Sequence, residues 1–456
     1  YTHNPRTDFL PPSTSFGTKI GTPFLRLQTW WQHMPQFTDY LARCNYMLEV
    51  GNPVSDVLLY LGDEQNHKPS QLLPFPIGYS YDYCNPDILL NRLSIKNGKI
   101  VTPEGIQYRV LWLYDCKRML PETLEKIAMF VEKGLIVVGE SPSGLATLSG
   151  GEKAKKRFEK AVEKLWGNSS LKTHKLGKGK VYNTSSIDSV LIAENIQPDI
   201  LFDHSELRWL HRKTDESDIY FLSAMPENGY QGVLSFRSRG NAEIWDPVTG
   251  EVFALDSKSS GDYTNLEIDI PAGKSCFVVF SSKKSDHPLM PSSPIIKLDL
   301  SDTPWQVRFP SGWGIENDPV LTNQLVAWKD LPLSAEGKSF SGTATYETSF
   351  TLEDISKATS YFLNLGRVEV IAKVNINGHE IGTCWTTPYV LDISEYLKQG
   401  ENKLQVDVTG TWFNRLVYDA GLPEKDRKTW TIAGPGAGDS LKDYGLLGPV
   451  SIEIVN

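Results

Sequence analysis

The sequence predicts a multidomain chain that starts as α/β and ends as all-β. Three observations carry this. Apolar, strand-length runs alternate with amphipathic helix patterns between residues 54 and 206; helical periodicity stops near residue 207; and SKKSDHPLMPSSP, rich in Pro, Ser and charge, separates two strand-rich stretches. A chain of 456 residues has length for about three domains.

Residues 1–53 read as a loop and a helix. PPSTSFGTKIGTP is loop chemistry, and in QHMPQFTDYLARCNYMLEVG the residues Phe37, Tyr40, Leu41, Cys44 and Met47 or Leu48 fall at helical spacing before Gly51 and Pro53. One helix cannot bury its own apolar face, so this one is expected to pack on the α/β domain or in a dimer contact. Residues 54–206 supply that domain. VLLYL (57–61), YRVLWLY (108–114) and LIVVG (135–139) read as buried parallel strands. Asn85-Pro86 opens a short helix, Pro121 opens PETLEKIAMFVEKG, and Gly134 stops it. Strands separated by amphipathic helices imply a parallel sheet covered on both faces, a flavodoxin- or amidotransferase-like arrangement. IYFLSA, GVLSFRS, AEIWDP, EVFAL, NLEIDI and SCFVVFSS then form a small β-sandwich over 207–284. Residues 294–456 carry further alternating strands, among them TATYETSFTL, KLQVDV and the hairpin VNINGHEIG around Asn377-Gly378; a galactose-binding-like jelly roll is the expected fold.

Charge and cysteine usage narrow the chemistry. With 46 basic against 55 acidic residues, a net charge of −9 argues against a nucleic-acid partner. The Lys153–Lys164 run interleaves with glutamates above an Ala154, Phe158, Ala161, Leu165 stripe, as a solvated helix face does. The longest apolar runs are strand-length, well below the roughly 20 residues of a membrane span. YTHNPRTDF has neither a basic start nor an apolar h-region, so no signal peptide is visible, and the chain would be cytoplasmic or the mature form of an exported protein. Five scattered cysteines without a CxxC pair suggest neither a disulfide framework nor a zinc site. His204 and His211 lack a ligand pattern and are expected in surface or capping roles.

Familiar catalytic motifs fail on inspection. GESPSG (139–144) has Ser143 where a nucleophile elbow needs glycine, and Pro142 lacks the N–H that an oxyanion would require. GPGAGD (434–439) misses the last glycine of a dinucleotide fingerprint. Cys84 and Cys116 are expected to be buried structural thiols. Asp63 and Glu64 follow the first parallel strand at its C-terminal end, where open α/β sheets place ligands, and are the candidates for acid–base work; exposed loop carboxylates are the alternative. In the last domain Trp385, Tyr389, Trp412, Trp430 and Arg415 would either stack on sugar rings or fill the sandwich and its rim. FLRLQTWW (24–31) poses the same choice between holding a sugar and anchoring a helix.

The order FLRLQTWW, YDYCNPDILLNRL, IQYRVLWLY, AEIWDPVTGEV, SGTATYETSF, VNINGHEIG, TWFNRLVYDAGLP and YGLLGPVSIEI resembles the glycoside hydrolase family 106 α-L-rhamnosidases along essentially the whole chain. The resemblance implies a large modular enzyme in which a (β/α)8 barrel precedes an α/β domain and β-sandwiches. Residues 1–53 would be the end of that barrel, whose full form needs about 250 residues. It also implies inverting hydrolysis by two barrel glutamates assisted by calcium. Both glutamates would lie upstream of Tyr1, so neither they nor a calcium ligand is assigned here, and the chain shows no cofactor motif of its own. His3, Arg26 and Trp30 would line the substrate rim, with Trp385, Trp412 and Arg415 as sugar contacts in the jelly roll. The expected function is a non-catalytic C-terminal portion of a rhamnosidase-like hydrolase of polysaccharide-degrading bacteria, periplasmic or secreted, whose partner is a rhamnose-containing glycan. The alternatives are a carbohydrate-binding or structural module, and a divergent hydrolase using the α/β domain.

Overall fold

The computed structural model describes residues 6–7 (backbone only), 27–64, 73–167, 172–203, 207–291, 294–315, 319–356, 360–431 and 434–455. Its helices are α1 (Met34–Glu49), α2 (Pro86–Asn91), α3 (Pro121–Glu132), α4 (Gly151–Trp166), α5 (Ile187–Ala193), α6 (Ala335–Lys338) and α7 (Phe413–Ala420).

The apolar runs of the first domain form a parallel sheet because helices cover both of its faces. Its strand order is Thr173–Leu176, Gly179–Tyr182, Ile136–Val138, Val110–Trp112, Val57–Tyr60, Tyr81–Cys84. All neighbours run parallel except the hairpin of the first two. Leu58, Leu111, Val137 and Val181 pack against Leu124, Ile127 and Val131 of α3 and against Phe158 and Leu165 of α4. On the other face Val57, Leu59, Val110 and Trp112 meet Ile187, Val190 and Leu191 of α5.

Local chemistry sets the helix ends. The Asn85 side chain accepts from the Ile88 N–H at 2.9 Å, capping α2. Helix α3 starts on Pro121 and takes its cap from a distant residue. The Asp63 carboxylate accepts from the Leu120 N–H (2.8 Å), the Thr123 hydroxyl (2.7 Å) and the Tyr60 hydroxyl (2.6 Å), next to the positive end of the helix dipole. Beyond the other end, Gly134 adopts φ +115, and a Cβ there would stand 3.0 Å from the Gly98 Cα.

The small sandwich is antiparallel. One sheet runs Val252–Leu255, Asn241–Trp245, Ser275–Ser281, Ser217–Ala224, Leu207–Lys213, Asn52–Pro53, and the other Ile200–Leu201, Tyr230–Phe236, Tyr263–Ile270, Lys258–Ser260. Tyr220, Leu222, Leu234, Phe236, Ile268, Val278 and Phe280 fill the space between them. Ser275–Ser281 is buried at six consecutive positions, which one packed face cannot explain. Its second face lies under α1: Cys44 and Met47 pack on Ile219, Phe277 and Val279.

Helix α1 thus docks on the sandwich, not on the α/β domain expected to receive it. The reason is complementary apolar surface, reinforced by polar fastenings. The Arg212 guanidinium donates to the carbonyls of Glu49 (3.0 Å), Val50 (2.7 Å) and Gly51 (2.7 Å), satisfying the helix C-terminus. Arg43 donates to the carbonyls of Pro247 and Val248, each at 3.1 Å. Leu41, expected to point inward, is 36 % exposed.

The last domain pairs a six-stranded antiparallel sheet (Val320–Thr322, Trp305–Arg308, Thr343–Leu352, Gly400–Thr409, Ile371–Ile376, His379–Cys384) with a four-stranded one (Ile295–Asp299, Ser451–Val455, Ser360–Asn364, Val390–Asp392). Trp305, Trp328, Tyr346, Leu363, Val374, Val406 and Ile452 lie in its core.

Asp63→Ala removes the acceptor for two donors at the start of α3 and for the Tyr60 hydroxyl. We expect a loss of about 2 kcal/mol or more in urea unfolding, with Asp63→Asn costing clearly less. Equal costs for the two variants would contradict the capping role.

Candidate functional site

The sequence-predicted site residues that the structure describes gather where residues 27–40 meet the last domain. His3 and Arg26 lie outside the described residues. Leu27 and Gln28 are buried, Trp30 is half-buried and Trp31 is exposed. The turn is held by the Trp31 N–H on the Gln28 carbonyl (3.1 Å) and the His33 N–H on the Trp30 carbonyl (2.9 Å).

Trp412 grips this turn from the far end of the sequence. Its indole N–H donates to the Leu27 carbonyl at 2.8 Å across 385 positions of sequence. The ring is 5 % exposed and stacks on Trp313 at 6.4 Å between centroids. Trp385 is half-buried beneath α1 and meets Phe37 and Tyr40 edge-on, each at 5.4 Å. Tyr40 also shares a 3.0 Å hydrogen bond with the Ser275 hydroxyl of the sandwich.

Arg415 sits at the start of α7 and is 1 % exposed. Its Nη1 donates to Glu336 Oε1 (2.8 Å), and its Nη2 pairs with Asp419 Oδ1 (2.9 Å), one helical turn on. The guanidinium lies between the rings of Trp313 (5.4 Å) and Tyr418 (5.1 Å). Asp419 Oδ2 accepts from both the N–H and the hydroxyl of Thr429 at 2.6 Å. Thr429 belongs to the strand Thr429–Trp430, which pairs antiparallel with Arg6–Thr7. Lys428 donates to Glu336 Oε1 at 2.9 Å. Burial would raise the Glu336 carboxyl, but Arg415 and Lys428 outweigh it and hold it below its ordinary value.

Arg415 and Trp412 therefore act as fasteners. Their charged and aromatic surfaces are turned toward protein groups, and through Asp419 and Leu27 they fix the strand and turn that come from the start of the chain. Their partners Trp313, Glu336 and Asp419 were missed in the sequence. Only Asp419 left a signal, four residues after Arg415 in FNRLVYDA.

The α/β candidates are also engaged. Asp63 is the α3 cap, and Glu64 pairs with Arg118 at 3.1 Å. Burial pushes the Cys116 thiol up to about 12 and raises Cys84 as well, which suits structural thiols and not nucleophiles. Among the described residues no group of three or more His, Cys, Asp or Glu is placed to hold a metal ion. No helix among them is long and apolar enough to cross a membrane.

A parallel-sheet domain is followed by antiparallel β domains, the last of which is bound back onto the N-terminal segment. A family model described as alpha-L-rhamnosidase, glycoside hydrolase family 106, matches residues 1–258, and one described as glycosyl hydrolase 2 galactose-binding domain-like matches residues 336–431. The chain belongs to glycoside hydrolase family 106. A solved rhamnosidase from Novosphingobium sp. PP1Y superposes with a TM-score of 0.85 at 29 % identity, covering 95 % of this chain and 42 % of that one. A protein of Formosa agariphila described as "Putative beta-glucuronidase" is 34 % identical over 290 residues, 62 % of this chain and 24 % of that protein. The chain thus spans less than half the length of either relative.

Arg415→Met leaves Glu336 and Asp419 without their buried partner, and we expect a cost of about 3–5 kcal/mol in denaturant unfolding. For Glu336 the sign follows from its lowered carboxyl. Its contribution is complete above the ordinary value of 4.5 and is lost as pH falls through the lower folded value. Glu336→Gln should therefore be less stable than wild type at neutral pH, with the gap closing on acidification. A gap that widens toward acid would show that the pairing has been misread.

Proposed function

We propose that this chain is the non-catalytic C-terminal portion of an α-L-rhamnosidase-like glycoside hydrolase that takes part in plant polysaccharide breakdown in the periplasm or outside the cell. Its role is to hold the closing segment of a catalytic barrel. In this reading residues 1–53 end the barrel, 54–206 are a flavodoxin-like domain, 207–284 a small sandwich that also takes in the flanking strands Asn52–Pro53 and Ile200–Leu201, and 294–456 a jelly roll. The order of the five parallel strands, 2-1-3-4-5 in sequence, supports the flavodoxin-like name. His3, Arg26 and Trp30 line the rim of the substrate site, and Trp385, Trp412 and Arg415 keep that rim in place. A rhamnose-containing glycan is the substrate of the complete enzyme.

One observation carries the reading. The two ends of the chain are joined, by the Arg6–Thr7 strand on Thr429–Trp430 and by Trp412 on the Leu27 carbonyl, so the last domain fixes what the first residues present. Engagement of Asp63 and Glu64 in a helix cap and an ion pair supports it further, because inverting hydrolysis needs two carboxylates facing a water-sized gap.

A second reading, a glycan-binding module, is favoured by Trp430, which is 44 % exposed and lies within the galactose-binding-like match. An exposed indole face is suited to stacking on a sugar.

The chain should not release nitrophenol from an aryl α-L-rhamnoside. Turnover that survives Asp63→Asn and Glu64→Gln would end the non-catalytic reading and point to carboxylates elsewhere in this chain. Calorimetric heat with rhamnose-containing oligosaccharides, lost in Trp430→Ala, would favour the binding module.

A further inference from the structure

Where the sandwich meets the parallel-sheet domain there is a polar cavity of about 800 Å³, lined by Asp56, Arg109, Asp199, His211, Asp218 and Arg237 among others. Contrary to the expected surface or capping role, His211 is buried, 6 % exposed. Its Nδ1 lies 2.8 Å from Asp199 Oδ2 and its Nε2 lies 2.9 Å from Asp218 Oδ1. A neutral imidazole has one N–H and one lone pair, so it can satisfy one carboxylate and must point the lone pair at the other. Only the doubly protonated ring donates to both. The carboxylates are themselves held by further donors. Asp199 Oδ1 accepts from the Tyr220 hydroxyl at 2.9 Å, and Asp218 takes Lys213 Nζ on both oxygens at 2.8 and 2.9 Å.

These groups belong to a longer series of alternating charge. From Asp199 it continues to Arg237 (3.7 Å), then Asp56 (2.7 Å), then Arg109 (3.1 Å). Read from the sandwich side the order is Lys213, Asp218, His211, Asp199, Arg237, Asp56, Arg109. The outer members are half-exposed, while His211 and Asp199 at the centre are 3 % exposed in their side chains. Backbone bonds flank the same residues: Val54 N–H on the His211 carbonyl (3.0 Å) continues the sandwich ladder of Asn52–Pro53 on Leu207–Lys213, and Asp199 N–H on the Gly78 carbonyl (2.7 Å) crosses to the parallel-sheet domain. The Tyr220 ring stacks on the imidazole at 4.0 Å, and Asp215 and Lys99 complete the charged lining.

We propose that this series is a pH-sensitive latch: with both His211 nitrogens protonated it ties Asp199, which leads into the sandwich strand Ile200–Leu201, to Asp218 and so keeps Asp199 and Arg237 seated on Gly78 and Asp56 of the parallel-sheet domain, and loss of one proton loosens that junction. Deprotonation leaves Asp199 and Asp218 facing each other across a neutral ring with one contact gone, in a setting where an unpaired carboxylate is costly. Among the seven members, His211 alone has an ordinary value near neutrality. Burial disfavours its charge, yet the hydrogen bonds and fields of Asp199 and Asp218 prevail and hold it above the ordinary 6.5. A raised value means the stabilisation is complete below 6.5 and fades as pH rises through the folded value. Asp218 shifts the opposite way: burial would raise it, but His211 and Lys213 hold it down, so acid opens the latch from the other side. The latch is independent of which glycan the protein serves.

The intact chain labelled with 15N-histidine tests this. His211 is assigned by His211→Gln or, if that variant does not fold, by the resonance that moves in Asp218→Asn. The expected result is a ring protonated on both nitrogens at pH 6.5, titrating above that value, with a midpoint lowered by Asp218→Asn. Amide protection at Asp199 should drop several-fold through the same midpoint, after correction for intrinsic exchange. A singly protonated ring at pH 6, or protection that shows no step at the ring's midpoint, overturns the proposal.

Discussion

The arrangement of the domains depends on the burial of α1 between two β surfaces that are distant in sequence. Cys44 and Met47 lie on Ile219, Phe277 and Val279, while Phe37 and Tyr40 meet Trp385. Each large apolar side chain taken from water is worth about 1.5–3 kcal/mol, whereas an exposed pair such as Arg239 with Asp262 contributes about 0–1 kcal/mol. Apolar burial therefore decides where α1 sits. Arg212 and Arg43 decide its register, because they meet backbone carbonyls that would otherwise need water.

Once α1 is fixed, the turn before it is fixed too. Trp412 holds the Leu27 carbonyl, and the Arg415–Asp419–Thr429 relay sets the strand that Arg6–Thr7 joins. A buried ion pair is a poor source of net stability compared with an apolar isostere, but removing one partner is severe. Here Asp419 meets Arg415 through one oxygen and Thr429 through the other, which links α7 to the strand Thr429–Trp430. The same logic governs the junction at His211, where each charge is tolerated because its neighbours are of opposite sign. The structure thus has two polar seams, one binding the ends of the chain and one binding its middle.

How much of this was legible depended on range in sequence. VLLYL, PETLEKIAMFVEKG and the Asn85-Pro86 cap announce themselves within a few residues, and the parallel sheet follows from their alternation. SCFVVFSS reads locally only as a strand of the sandwich, and nothing in it names α1 as the cover of its second face. Tyr40 and Ser275 are 235 positions apart, and periodicity carries no information at that distance. The aromatic and charged residues of the last domain were recognisable as unusual. Arg415 meets Glu336, which lies 79 positions earlier, and the Trp313 ring, and no local pattern names either partner. Asp63 does follow a parallel strand, as the sequence indicates, but the donors Leu120 and Thr123, some 60 positions away, give it a helix to cap.

The N-terminal segment is clamped by both β domains and does not hang from them. Hydrogen exchange of the amides of Trp31, His33 and the Cys44–Leu48 turn of α1 addresses it most directly. If the clamp is real, these amides exchange only with opening of the sandwich core, on the timescale of Phe277 and Val279, and Trp412→Phe speeds Trp31 and His33 while leaving Phe277 unchanged. Exchange of α1 at the rate of an isolated surface helix, with the sandwich still protected, would contradict the account.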